Sequence, residues 1–486
     1  LEVGTQRFVL EVATIVLVLA SVAYVVLERR HPRTTLAWVL AIVLVPVVGL
    51  IAYLLLGRRP YRRHVRRCRR RSAAAVEVAR QLARLDELPA DLGGAQRGLV
   101  RLALVAAAAP LRRADRVELL EAGPGTFRAL VEALDSAEHF AHLEFYIWRD
   151  DASGRAVRDV LVGLARRGVR VRVLCDHIGS FGLPRRHFAP LVEAGGEVAW
   201  FAPLHGAALR TLRANFRNHR KLISIDQRLG FVGGVNVADE YLGTADPERA
   251  WRDVMLRIEG DAVLGLETIF AADWLDACGP EAEPALWEQE MESAGRTRAQ
   301  RASEGPLVQL IASGPDAPVT ASISAQLGAA IAVAERRCWI ATPYLVPDDA
   351  LMLMLQTAAM RGVDVRLLVP ARSDSRIVGW ASASYYDGLL EAGCSIFEYP
   401  AMIHSKFMVV DDALAAIGSA NMDVRSFHLN YEVTAMFYDA GVNADLARVF
   451  LRDAAQATPV RPESRADLSA WRTAAEAFGR VLSPLL

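Results

Sequence analysis

Two long apolar runs open the chain. Residues 8–27 (FVLEVATIVLVLASVAYVVL) are apolar apart from Glu11, and residues 36–56 (LAWVLAIVLVPVVGLIAYLLL) carry no charge. About 20 apolar residues cross a ~30 Å hydrocarbon core as a helix, so the pattern predicts a two-helix transmembrane hairpin over residues 1–57. Tyr24, Trp38 and Tyr53 fall near the ends of the runs, where amphipathic rings favour the interface. The first run has no small-residue cleavage site and is followed by a second span, which argues against a secretory signal. A buried core helix pair is the alternative reading.

Beyond the hairpin, residues 58–122 read as a basic segment followed by an Ala/Arg/Leu-rich helical linker over 73–122. A pattern then occurs twice. A strand-like run (AHLEFYIW, 141–148) and an amphipathic stretch lead to ARRGVRVRVLCD (165–176), the end of a helix, a Gly and a buried strand. The second copy runs from RCWIATPY (337–344) to AMRGVDVRLLVP (359–370). Strands alternating with helices indicate α/β architecture, and the recurrence indicates two copies of one domain, over 123–278 and 307–486, with a joint at 279–306.

Charge and composition sharpen this outline. The chain holds 56 basic and 56 acidic residues, but residues 1–72 hold 13 basic against 3 acidic. The basic head and mildly acidic body argue against a body that grips nucleic acid. Nine Arg lie in residues 57–71 against three in the hairpin loop, which by the positive-inside rule holds the following domains in the cytoplasm and draws anionic lipid to the membrane surface. Five scattered Cys without a CxxC pair fit free thiols in a reducing compartment and no zinc site.

The chemistry sits downstream in each copy. The first reads HRKLISID (219–226) and then GGVN (233–236). The second reads HSKFMVVD (404–411) and then GSAN (418–421). His, Lys, Asp, Gly and Asn match at one offset of 185 residues. Only two of the 56 basic residues are Lys, and both, Lys221 and Lys406, stand two places after these His. A strand would put His and Lys on one face, and the Gly-rich stretch would let backbone and Asn approach a ligand. Two His, two Lys and two Asn converging between the copies suit a phosphodiester. Lys supplies compact charge for the non-bridging oxygens, Asn donates hydrogen bonds, one His attacks, and the other serves as acid and then base. This needs neither a metal nor a cofactor.

The doubled HxKxxxxD with GGxN and GSxN resembles the phospholipase D superfamily. The hairpin, DHIGS (176–180), WRDVMLRIEG (251–260), TPYLVPD (342–348) and HSKFMVVDDALAAIGSANMDVRSFHLNYE (404–432) extend the resemblance to its bacterial cardiolipin synthases. The resemblance implies two phospholipase D-like domains sharing one active site at their interface. It also implies a bacterial inner-membrane enzyme with a cytoplasmic catalytic part. Two phosphatidylglycerol molecules would become cardiolipin and glycerol through a phosphatidyl-histidine. Phosphatidylglycerol, other anionic phospholipids and the bilayer are the implied partners.

By analogy His219 is the nucleophile and His404 the acid/base, although the residues themselves barely separate the two. Lys221, Lys406, Asn236 and Asn421 would bind the phosphoryl group beside Gly234 and Ser419. Asp226 and Asp411 complete the catalytic motifs and are read as shaping them. Asp253 and Glu432 are candidates to orient the imidazoles. His205 and His428 are read as structural, Glu144 as buried and paired, and Arg425 and Ser426 as candidates to meet a lipid headgroup. A phospholipase D-type hydrolase, a nuclease and a non-catalytic lipid-binding scaffold are the competing readings.

Overall fold

The computed structural model describes residues 2–28, 32–54, 89, 92–202, 216–242, 250–279, 304–315 and 323–485. The arginine run at 57–71, most of the 73–91 linker, His205 and residues 280–303 of the joint lie outside the described residues. The amino-terminal helices form one unit and the body a second.

In the first unit, α1 (Glu2–Leu27) and α2 (Pro32–Leu44) pack as a hairpin that α3 (Pro46–Ala52) continues. Val25, Ile42 and Tyr53 are buried among them, and the Tyr53 ring meets Trp38 and Tyr24 edge-on, with centroids 5.4 and 6.4 Å apart. The outer faces expose Phe8, Ile15, Val16, Leu19, Leu44, Val47 and Val48. The second apolar run is not one continuous helix. Val45 leaves helical geometry at φ −136°, and Pro46, which lacks an N–H, starts a new helix. Among the described residues no helix is long and apolar enough to cross a membrane. What the structure shows of the expected transmembrane hairpin is therefore the hairpin.

The body is built on two mixed sheets. The first contains β2 (Arg116–Glu121), β3 (Phe140–Phe145), β4 (Arg170–Asp176), β5 (Glu197–Phe201), β6 (Leu222–Ile225), β7 (Leu229–Gly233) and β8 (Val254–Glu259), in the order β2-β8-β7-β6-β3-β4-β5. The second contains β9 (Leu307–Ser313), β10 (Arg337–Ala341), β12 (Asp364–Pro370), β13 (Ser395–Tyr399), β14 (Phe407–Val410), β15 (Leu414–Gly418) and β17 (Glu432–Phe437). These run in the order β9-β17-β15-β14-β10-β12-β13, with β1 (Arg112–Arg113) and β18 (Thr458–Pro459) at the edges. The second order repeats the first strand for strand, and β3-β4-β5 and β10-β12-β13 are the parallel runs in each. A small parallel pair, β11 (Leu345–Val346) with β16 (Met422–Asp423), completes the strands. The α/β class and the two copies follow from this correspondence.

The shared Arg-Gly-Val core works as a helix stop. Helices α6 (Ala152–Arg166) and α9 (Asp349–Met360) end just before Gly168 and Gly362, whose φ angles of +87° and +89° turn the chain into β4 and β12. Among the described residues of 73–122, the helical reading holds for α4 (Gly94–Ala107). Residues 112–113 and 116–121 are strands, because RVELLE finds a complete partner in β8 at the edge of the first sheet.

Three cores organise the body. Helices α5 (Pro124–Asp135) and α6 cover one face of the first sheet, and α4, α8 (Ile323–Val333) and α9 cover one face of the second. Between the sheets lies a common core with α7 (Val263–Cys278) and α12 (Ala440–Gln456). There Leu256, Phe270 and Trp274 of the first copy join Phe407, Val433 and Phe450 of the second. Fixing the sheets against each other fixes whatever their facing edges carry.

Candidate active site

His219 and Lys221 lie just before β6, and Asn236 just after β7. This is the edge at which the parallel strands β3 and β4 end, where open α/β sheets carry their sites. His404, Lys406 and Asn421 hold the same positions on the second sheet. The His-Lys segments are extended but are not part of strands within their own sheets. Each is held by backbone from the other copy instead. His219 N donates to Tyr431 O at 2.9 Å and Tyr431 N to Arg217 O at 2.8 Å, while His404 N donates to Arg252 O at 2.7 Å and Arg252 N to Met402 O at 2.9 Å.

The side chains cross in the same way. His219 Nδ1 lies 3.0 Å from Glu432 Oε1 and 3.1 Å from the Ser419 carbonyl. His404 Nδ1 lies 2.6 Å from Asp253 Oδ2. Each imidazole is thus oriented by the carboxylate of the opposite copy. Lys221 Nζ donates to His219 O at 2.6 Å, and Lys406 Nζ donates to His404 O and stands 2.8 Å from His404 Nδ1. All six side chains are buried. The charges of both lysines bear on both rings, so the two half-sites form one electrostatic unit.

The two half-sites differ in where a proton belongs. Among the described residues the partners of His219 Nδ1 are acceptors, an ionised carboxylate and a carbonyl, so Nδ1 carries hydrogen and Nε2 keeps its lone pair. Burial would push Glu432 up, but His219, Lys221 and the Ser419 hydroxyl, which donates to Glu432 Oε2 at 2.5 Å, hold it below the ordinary carboxylate value. Burial lowers His219 to about 4, against the pull of Glu432. At His404 the balance reverses. The place of Ser419 is taken by Gly234, which has no hydroxyl, and burial raises Asp253 to about 7 despite Lys406. Lys406 donates toward Nδ1 and a protonated Asp253 can do so too, which puts the ring hydrogen on Nε2. Burial, followed by Lys406, depresses His404 well below its usual value, so this ring is neutral as well. Burial also lowers both ammonium groups, Lys406 to about 8.

Whereas other expectations need correction, Asp226 and Asp411, grouped with the catalytic motifs and read as shaping them, do shape them and are not with the imidazoles. They follow β6 and β14, at the opposite ends of those strands from the His, and sit at left-handed φ values of +51° and +46°. Asp226 accepts the backbone N–H groups of Glu138, His139 and Phe140, and Asp411 those of Glu335, Arg336 and Arg337, so each ties its strand to the start of β3 or β10. Gly233 and Gly418 do not make room for a ligand. A Cβ there would stand 2.6 Å from Val254 O and 2.1 Å from Val433 O in the adjacent strand. Gly234 faces Asp253, where a Cβ would come within 2.2 Å of Oδ1. Ser426 is fully buried and accepts from Asn421 N at 3.1 Å, so it shapes the Asn loop.

Other expectations are met or extended. Glu144 is buried and paired with Asn218, and His428 sits 3.6 Å from Asp348. Asn236 is fixed by accepting from Ile147 N at 3.0 Å, and its Nδ2 has no hydrogen-bond partner among the described residues. Arg425 is partly buried, and its charge bears on Tyr146. Sequence reasoning missed the aromatic walls. Tyr146 packs edge-on to His219 at 4.8 Å with Lys221 Nζ 5.3 Å above its ring, and Trp251 and Tyr241 pack on His404 at 5.1 and 5.3 Å. A tyrosine after the first strand of each copy, Tyr146 and Tyr344, was the available signal. Asp176 was also missed as a site residue. It accepts from Asn218 N at 2.9 Å and so braces the residue before His219.

Comparison with known proteins agrees with this geometry. The family described as cardiolipin synthase, PLD-like domain matches residues 130–274 and 327–454, one segment in each copy. A phospholipase D-nuclease N-terminal family matches residues 15–58. A cardiolipin synthase 1 of Bacillus cereus is 38% identical over 476 residues, covering 96% of this chain and 92% of the relative. A cardiolipin synthase of Geobacillus kaustophilus is 40% identical over 472 residues, covering 95% and 90%. Among solved structures, a phosphatidylserine synthase of Haemophilus influenzae shares the fold at a TM-score of 0.59 and 12% identity, over 80% of this chain and all of that one. With two matched domains and relatives similar along almost its whole length, the chain belongs to the cardiolipin synthase family of paired phospholipase D-like domains.

Proposed function

We propose that the protein is a membrane-bound phosphatidyltransferase that joins two phosphatidylglycerol molecules into cardiolipin and releases glycerol. The observation that carries the mechanism is the unequal surroundings of the two Nδ1 atoms, with acceptors at His219 and the Lys406 ammonium beside Asp253 at His404. On this reading His219 presents a bare Nε2 and His404 a protonated one. His219 Nε2 attacks the phosphorus of the first lipid as the P–O bond to glycerol breaks. His404 Nε2 gives its proton to the departing oxygen while Nδ1 takes the Asp253 proton. His404 is then a base. It removes the proton from a hydroxyl of the second phosphatidylglycerol, whose oxygen displaces His219 from phosphorus, and the proton returns to Asp253 through the ring. Lys221 and Lys406 neutralise the non-bridging oxygens, and the free amide of Asn236, with Asn421, donates to the charge that grows at phosphorus. Arg425, whose charge bears on Tyr146, is read as the contact to the phosphate of the second lipid.

The exposed apolar faces of α1–α3 support membrane insertion of residues 8–27 and 36–56. The nine arginines at 57–71 support a cytoplasmic body under the positive-inside rule. The test is incubation of the purified protein with phosphatidylglycerol vesicles. Cardiolipin and glycerol should appear in equal amounts, with an acid-labile adduct on His219 in wild type and none in His219→Ala. Phosphatidic acid in place of cardiolipin would make water the acceptor and the protein a hydrolase.

A further inference from the structure

The segments that leave the site-bearing ends of β4 and β12 carry apolar side chains in solvent. The loop after β4 exposes Phe181 to 77%, and α10 (Arg376–Ala383), after β12, exposes Ile377. Helix α13 (Ala470–Leu482) lies along α10, so close that a Cβ at Gly479 would stand 2.5 Å from Ala381 N. The Trp471 ring meets Trp380 edge-on at 6.3 Å. The turn after α13 (Ser483–Leu485) packs on α11 (Val424–His428), which begins three residues beyond Asn421. The helix therefore stands at the rim of the site.

Helix α13 buries Ala475, Glu476 and Gly479 and turns the opposite face to solvent. There Trp471, Phe478 and Val481 are 73%, 54% and 75% exposed. With Ala474 they fall at spacings of three and four, which is one stripe of a helix. The only acid of α13, Glu476, is buried and held by Arg465 at 2.7 Å and Arg472 at 2.9 Å. The charges the helix shows to solvent are Arg472 and Arg480, and Arg372 and Arg376 are exposed on the approach to α10. An apolar stripe with an indole at one end and basic flanks is the composition of a helix that lies in a membrane interface. A stable protein partner needs on the order of 1,200–2,000 Å² of buried surface, which one stripe on a 13-residue helix does not supply.

We propose that α13, with Phe181 and Ile377, is a bilayer-docking surface that seats the mouth of the active site on anionic lipid. The proposal rests on the reading of the substrate as a membrane lipid. It gives the substrate a short path from its leaflet to the buried lysines.

The test uses the full chain carrying Trp471→Ser, Phe478→Ser and Val481→Ser, all at exposed positions, with thermal melting to confirm the fold. Turnover of long-chain phosphatidylglycerol in vesicles should fall by about tenfold or more. Turnover of short-chain phosphatidylglycerol dispersed as monomers should stay at the wild-type value. In wild type, amide exchange of residues 470–482 should slow in phosphatidylglycerol nanodiscs relative to detergent. Vesicle turnover within about twofold of wild type, or no added protection of 470–482, overturns the proposal. So does a dimer in detergent that the triple substitution splits, since the stripe would then belong to a second copy. If wild type makes cardiolipin from neither form of substrate, the reading of the reaction fails, and the exchange measurement still decides the docking surface.

Discussion

Ser419→Ala is the most informative single change, because it acts on one half-site, removing the hydroxyl that donates to Glu432 and accepts from Val433 N at 3.0 Å. The hydroxyl donates to Glu432 Oε2 at 2.5 Å, inside a fully buried cluster. A hydrogen bond to a charged group is worth ~1.5–3 kcal/mol, so without the hydroxyl the Glu432 carboxyl should rise. Glu432 is held below its ordinary value, so what it contributes is present above its pKa and is lost as pH falls through it. With the serine gone, the loss begins at higher pH. The acid limb of kcat/KM should therefore move to higher pH, while the rate on the plateau falls by less than about threefold. The alkaline limb belongs to the Asp253–His404 pair, with Asp253 near 7, and should stay where it is. The assay is the initial rate of cardiolipin formation in phosphatidylglycerol mixed micelles across both limbs. Superposed profiles, or a shift of the alkaline limb instead, would refute the assignment of different protons to the two half-sites.

Other substitutions test the same geometry. Gly234→Ala puts a Cβ 2.2 Å from Asp253 Oδ1, so the carboxyl must leave His404; kcat should fall by about a hundredfold with KM little changed, and retention of half the wild-type kcat would contradict this. Lys221→Arg keeps the charge but forces a wide guanidinium into a fully buried space under Tyr146; turnover should again fall about a hundredfold, and a mild effect would sink the steric argument. Asp226→Asn weakens a carboxylate that accepts three backbone N–H groups far from the imidazoles; the melting temperature should drop by several degrees while the folded enzyme keeps its kcat, and the opposite pattern would return Asp226 to the chemistry. In the proposed mechanism Lys221 and Lys406 supply the positive charge at phosphorus, so a divalent-metal chelator should leave turnover unchanged, and loss that added metal restores would count against the mechanism.

The chemistry of this chain was legible because His, Lys and Asn sit within one short segment of each copy, where spacing is fixed by local geometry. Two surviving lysines in an arginine-rich chain pointed to the same residues. What was not legible depends on how the copies face each other. Asp253 and Glu432 were recognisable as orienting carboxyls, yet nothing local shows that each serves the opposite His. The small residues at 233 and 418 were read as room for ligand, whereas they admit a neighbouring strand whose identity emerges only from the sheet order. Residues 116–121 have an apolar spacing a helix could share, and a free partner edge decided for strand. Pro46 was visible in the second apolar run, but run length alone does not show that the helix restarts there.

The exchange of backbone and carboxyl partners between the copies has a consequence for biosynthesis. A ribosome delivers His219 long before Tyr431 and Glu432, so the first domain emerges with His219 unanchored and its ring free to take either tautomer. A half-made chain near a membrane rich in substrate cannot cut lipid, since His404 has yet to be made and His219 lacks Glu432 until the late strands of the second copy are in place. Activity thus reports completion of the chain. A truncated or misdocked product is silent rather than a stray phosphodiesterase.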